Sequence, residues 1–156
     1  MTFVLDTNVF IVLTHFYPSS FPTLWARLDE LVLDGTIVSV REVYNELKQS
    51  NDSGFLQEWI DERKHIFARP SNAELLMVRR ILAVPHFQTL IGVKAVLKGT
   101  PVADPFVVAA AKIKGGTVVT QEKLKPTAAR IPNVCDHFEV PCMDLQTFMR
   151  ERGWTF

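Results

Sequence analysis

Short apolar runs alternate with amphipathic stretches along this chain, and the alternation sets the expected elements. Thr2–Leu5 has the continuous apolar character of a strand buried on both faces. Val9, Val12, Leu13 and Phe16 then recur at helical spacing until Tyr17-Pro18-Ser19-Ser20 breaks the pattern. Pro22 opens a second helix, with Trp25, Leu28, Leu31 and Val32 on its apolar stripe and Gly35 at its end. Ile37-Val38 reads as a second strand. Ser39 has the look of an N-cap, with Glu42 completing a capping box and Val43 and Leu47 on the core side of the helix.

Asn51-Asp52-Ser53-Gly54 reads as a loop, and Leu56, Trp59 and Ile60 mark the next helix. Ile66-Phe67-Ala68 fits a short strand or an extended link. Ser71 caps a helix carrying Leu75, Val78, Arg79 and Leu82, stopped by Pro85, and the pattern from His86 to Gly99 is ambiguous. Asp104 and Pro105 suit the cap and first position of a helix with Phe106, Ala109, Ala110 and Ile113 on one face. Gly115-Gly116 ends it, and Thr117–Thr120 reads as another buried strand. The tail offers a short Val134-Cys135 segment, a Cys142-Met143 strand and a helix bearing Leu145, Phe148 and Met149. Alternating strands and helices of this kind predict an α/β fold: helices on both faces of a central parallel sheet.

With 156 residues, 47% apolar and 22% charged, one globular domain spanning 1–156 is expected. The longest apolar run, Phe106–Ala111, is far short of a membrane span, and Asp6 interrupts an apolar start that no basic stretch precedes. A cytoplasmic protein with no membrane partner is the expectation. Cys135 and Cys142, with six residues between them, are too few for a disulfide scaffold and read as core thiols. His15, His65, His86 and His137 are scattered without a helix-spaced partner. Trp25, Trp59 and Trp154 read first as core, with base stacking as the alternative.

The net charge of zero conceals an asymmetry. Residues 1–62 carry 3 basic against 10 acidic side chains, net −7, whereas 63–93 are net +4 and 94–130 net +5. A basic middle can face phosphates, although a solvated charge face is the simpler reading.

In parallel sheets ligands bind beyond the carboxyl ends of the strands, and several acids fall there. Asp6 follows the first strand, Glu122 lies just past the strand ending at Thr120, Asp104 stands at a helix start, and Glu46 lies one turn after Glu42. Each has a structural alternative: Asp6 and Asp104 as helix caps, Glu46 as solvated surface, Glu122 as loop polarity. Their joint placement raises the chemical reading above any one of them.

The same residues carry a family resemblance. Phe3-Val4-Leu5-Asp6-Thr7-Asn8-Val9-Phe10 resembles the opening of a PIN domain (PilT N-terminus nuclease fold). Val40–Leu47, with Glu46 at the acidic position, resembles the second motif of that family. Asp104–Ala111 resembles the third, and Val118-Val119-Thr120-Gln121-Glu122 the fourth, where the family usually has Thr-x-Asp. The ending from Ile131 to Cys142 looks like a bacterial stand-alone, VapC-like toxin subgroup.

The resemblance implies a PIN-like three-layer α/β/α sandwich around a central parallel β-sheet. It implies a Mg²⁺-dependent endoribonuclease, with Mn²⁺ as a substitute ion, acting as the toxin of a toxin–antitoxin pair. Asp6, Glu46, Asp104 and Glu122 would hold the metal, and Asn8 and Thr120 would orient ligands or water. RNA as substrate, an antitoxin protein and a homodimer are the partners implied. Electrostatics agrees with a cation, because two carboxylates about 4 Å apart repel by roughly 4 kcal/mol at an effective dielectric of about 20. All-oxygen ligands suit Mg²⁺ or Mn²⁺. Three competitors stay open: a DNA-directed nuclease of the same fold, a degenerate protein- or RNA-binding module, and an aspartyl-phosphate phosphatase. The last wants Asp-x-Asp, and position 8 here is Asn.

Overall fold

A computed structural model describes residues 1–50, 54–90 and 102–156. Five short strands form a parallel sheet: β1 (Phe3–Leu5), β2 (Ile37–Val40), β3 (Phe67–Ala68), β4 (Thr117–Val119) and β5 (Cys142–Met143), in the order β3-β2-β1-β4-β5. Between them run α1 (Thr7–Leu13), α2 (Pro22–Leu33), α3 (Arg41–Gln49), α4 (Gly54–Glu62), α5 (Asn72–Leu82), α6 (Ala103–Lys114) and α7 (Ile131–His137). The helix α8 (Leu145–Glu151) follows β5. Short 3₁₀ turns occupy Lys64–Ile66 and Pro85–Leu90.

β1 lies at the centre, pairing Phe3 with both Ile37 and Thr117, so the chain's first strand is flanked by segments far along the sequence. Moving outward through β2 and β3 and then back to β4 reverses the crossover direction. Right-handed connections therefore put α1 and α2 on one face and α5 and α6 on the other. All three residues of β1 and of β4 are buried, as a sheet covered on both faces requires. Phe3 meets Phe148 of α8 edge-on at a 5.0 Å ring separation, closing the first face. The second face rests on α6, where Val107 through Ala111 are fully buried. The small Ala109-Ala110-Ala111 run brings that helix close to the strands.

Gly116 is required where α6 turns into β4. A Cβ there would stand 2.6 Å from the Thr2 carbonyl oxygen, and the neighbouring Thr117 amide donates to that same oxygen at 2.9 Å. Among the described residues no helix is long and apolar enough to cross a membrane.

Several local expectations are corrected. Ser39 is no cap: it lies inside β2 and its hydroxyl donates to the Leu5 carbonyl at 2.7 Å, tying the two central strands. Val40 precedes α3 without a side-chain cap, and Glu42 is buried rather than spent on a capping box. Its carboxyl is pushed up by burial first and by Glu74 second. Asp104 is not the cap of α6 either, since the helix already begins at Ala103 with Val102 before it. Val134 and Cys135 belong to α7, not to an extended segment. Leu75 and Ile113, expected on core faces, are exposed, and Met77, Val78 and Ile81 fill the core from α5. Ser71 does cap α5, accepting from the Glu74 amide at 3.1 Å. The Asn51–Ser53 part of the expected loop and the His86–Gly99 stretch beyond Leu90 lie outside the described residues, as do Lys94 and Lys98 of the basic middle.

Candidate active site

The carboxyl ends of β1 and β4 emerge side by side, and the acids that follow them meet there. Asp6 caps α1: its Oδ1 accepts from the Thr7 amide at 2.7 Å, and its Oδ2 accepts from the Thr120 hydroxyl at 3.0 Å. Both Asp6 and Thr120 are buried. Thr120 is a hub, because its hydroxyl oxygen also accepts from Asn8 Nδ2 at 3.3 Å and from the Glu122 amide at 3.2 Å. Asn8 in turn accepts from the Gln121 amide at 2.9 Å. The short strands deliver these groups, and the hydrogen bonds fix their rotamers.

Glu46 arrives from α3. Its Oε2 accepts from the Thr7 hydroxyl at 2.6 Å and its Oε1 from the Ala103 amide at 3.1 Å, one residue before Asp104. Glu122 Oε2 accepts from the Ile131 amide at 2.9 Å. The side chain of Gln121 accepts from the Leu145 amide at 2.8 Å.

These contacts form a pattern. Asp6, Glu46, Glu122 and Gln121 each receive the first N–H of a helix: α1, α6, α7 and α8 respectively. Each such amide lacks an intrahelical partner and carries the positive end of a helix dipole, which favours an ionised carboxylate beside it. Four helix starts thus converge here, three of them on acids, and offset part of the cluster's self-repulsion.

Asp104 differs from the other three. No described residue donates a hydrogen bond to its carboxylate, and burial, then Asp6, Glu122 and Glu46, push its pKa up to about 8. Burial is also the largest influence on Asp6. The Thr7 and Thr120 hydrogen bonds pull the other way, Glu122 and Glu46 add repulsion, and its pKa stands at about 7. The buried Asp6 and the half-buried Asp104 therefore hold protons near neutrality where a cation could replace them.

Among the described residues no three His, Cys, Asp or Glu side chains are arranged to hold an ion as they stand. The oxygens of Asp6, Glu46 and Glu122 are turned to amides and hydroxyls, so ion binding competes with those hydrogen bonds. The donor chemistry nonetheless fits a hard divalent cation: all oxygen, mutually repelling, with Asp104 half-buried and lacking a described donor. All six residues singled out in the sequence are brought together. What the sequence did not reveal was Gln121 and Thr7, polar residues that bond to these acids or their neighbours and carry no pattern of their own.

Cys135 is the buried core thiol expected, but Cys142 is exposed on β5, a correction to the reading of both as core. The two thiols interact, which lowers the pKa of Cys142 and, with burial, raises that of Cys135.

Residues 3–156 match the family described as a domain of unknown function, DUF4411. The chain belongs to that family. No curated protein is similar enough in sequence to count as a match. In three dimensions this DUF4411 chain is similar to FitAcB from Neisseria gonorrhoeae, at 18% identity and a TM-score of 0.50. The likeness covers 91% of this chain and 96% of that one. It is similar to VapBC2 from Rickettsia felis bound to a DNA fragment from their promoter, at 16% identity and a TM-score of 0.52, over 92% and 98% of the two chains. It is similar too to FitAB bound to the IR36 DNA fragment, at 15% identity and a TM-score of 0.52, over 92% and 94%. These likenesses establish the PIN-like α/β fold of the DUF4411 chain, with its central parallel sheet.

Proposed function

We propose that this protein is a metal-dependent endoribonuclease and the toxin of a toxin–antitoxin pair. One observation carries the reading. Four acids from four distant segments gather at the carboxyl edge of a PIN-like sheet, and two of them are held protonated near neutrality by burial and mutual repulsion. A fold gains nothing in stability from such an arrangement, so a ligand that needs it is the economical explanation.

Asp6, Glu46 and Asp104 would hold Mg²⁺ or Mn²⁺, directly or through water, with Glu122 as the fourth acid. Such an ion, when bound, supplies a water of lowered pKa and offsets charge on the scissile phosphate. Thr120 and Asn8 keep the Asp6 carboxylate in one orientation, and Thr7 does the same for Glu46. Basic side chains from the middle of the chain, such as Lys123, Lys125 and Arg130, would contact phosphates.

VapBC2 is bound to a DNA fragment from its promoter, and an antitoxin protein is the partner this reading requires here. A homodimer and a cytoplasmic location complete it. The test incubates purified protein with structured RNA and single-stranded DNA side by side, with Mg²⁺ or Mn²⁺ and with chelator. Metal-dependent RNA cleavage lost in Asp6→Asn and Asp104→Asn is expected. Cleavage that ignores chelator would overturn the mechanism, and cleavage of DNA alone would redirect it to the DNA-nuclease reading.

A further inference from the structure

Beside the acidic cluster lies a second feature that the cleavage chemistry does not use. A mainly apolar cavity of about 450 Å³ opens between α1, the turn after it, and α8 with the tail behind it. Phe16, Met149 and Trp154 form its walls, each only partly buried, while Gln146 and Arg150 stand exposed at its rim. Its size falls within the ~300–1,000 Å³ of ordinary ligand pockets.

The cavity is physically joined to the acids. Val12, which lines it, sits one helical turn after Asn8, and Asn8 bonds to both Thr120 and the Gln121 amide. Gln121 belongs to both places: its backbone bonds to Asn8, its side chain receives the first amide of α8, and it lines the cavity. A chain laid with one phosphate at the carboxylates therefore places a neighbouring unit at this opening.

We propose that the cavity is a nucleobase subsite, which takes one unpaired base of a single-stranded RNA beside the cleaved linkage. The proposal rests on the nuclease reading and adds a substrate class to it. The chemistry of the lining suits this occupant. Aromatic and thioether walls accept the π-face of any base, the Gln146 amide can meet a base edge, and Arg150 supplies positive charge for the adjoining phosphate. A base paired within a duplex cannot enter, so the subsite selects unpaired nucleotides.

Binding in chelator separates this proposal from the nuclease reading, since no cleavage is needed. A short labelled single-stranded RNA is scanned by fluorescence anisotropy with one abasic position at a time, and Kd is compared with that of the intact strand. One position is expected to weaken binding about 10-fold when its base is removed, the stacking contribution of a single base. Phe16→Ala and Gln146→Ala should erase that difference, and Phe16→Tyr should keep it. Equal affinity for intact and abasic strands at every position would overturn the proposal. So would a base dependence that survives both Phe16→Ala and Gln146→Ala. Loss of a protein partner in Phe16→Ala, with RNA binding indifferent to the missing base, would assign the cavity to that partner instead. If cleavage fails while the base dependence holds, the subsite stands and the nuclease reading falls.

Discussion

The Thr120 hydroxyl donates to Asp6 Oδ2 at 3.0 Å across 114 residues of sequence. That contact links the ends of the two central strands and, with the Thr7 amide on Oδ1, fixes the orientation of the Asp6 carboxyl. Removing the hydroxyl leaves Asp6 Oδ2 and the Glu122 amide without a partner. Thr120→Val should therefore cost about 1–3 kcal/mol in chemical denaturation and reduce cleavage sharply, whereas Thr120→Ser keeps both.

Burial and repulsion on Asp104 predict an unusual sign. Asp104→Asn should raise the melting temperature of the metal-free protein near pH 8, because it removes a half-buried charge that Asp6, Glu122 and Glu46 repel and no described donor meets. The same change should abolish the thermal stabilisation produced by Mg²⁺. Val102, not Asp104, precedes the helix, so no cap is lost. A lower melting temperature in chelator would count against a site built for a cation.

The pH dependence follows from the same pair. Asp6 and Asp104 have pKa values raised to about 7 and about 8, above those of the unfolded chain. The fold thus holds protons that the unfolded chain has released, and stability falls as pH rises from about 4 through about 8. Melting in chelator from about pH 5 to about pH 8.5 should show the decline, flattened in Asp104→Asn and countered by Mg²⁺.

Glu122 has one observed role and one proposed role, which substitution can part. Its Oε2 receives the first amide of α7, which an amide oxygen can also accept. Glu122→Gln should keep the stability of the protein while weakening its response to divalent ions. Glu122→Ala should additionally lose about 0.5–2 kcal/mol, the usual penalty for removing an acceptor at a helix start.

Gly116 gives a prediction about the fold alone. Gly116→Ala would drive a methyl to 2.6 Å from the Thr2 carbonyl, and β1 must shift to relieve it. A loss of roughly 1–3 kcal/mol is expected, measured by denaturant unfolding.

The sheet and the gathering of the six candidate residues were legible because the strands are short, largely apolar and followed at once by a polar residue. Position relative to a strand end was enough to single out Asp6 and Glu122, whereas Asn8 and Thr120 stood out only through the family resemblance. Local cap signals misled where tertiary contacts compete. Ser39 had a cap's residue type and spacing but found a stronger use against the Leu5 carbonyl. Asp104 looked like a cap because Pro105 follows it, yet Ala103 is held in the helix by the Glu46 carboxylate, which extends α6 by one turn position. Leu75 and Ile113 were assigned to core faces by periodicity, which cannot tell which apolar stripe a neighbouring helix covers.

The strand order has a consequence for when this centre comes into being. β1 is synthesised first but takes its middle seat only after β4 arrives more than a hundred residues later. A growing chain still attached to the ribosome carries Asp6 long before Thr120 and Glu122 exist to meet it. The acid cluster of this layout therefore cannot assemble until the segment that carries Thr120 and Glu122 has been made.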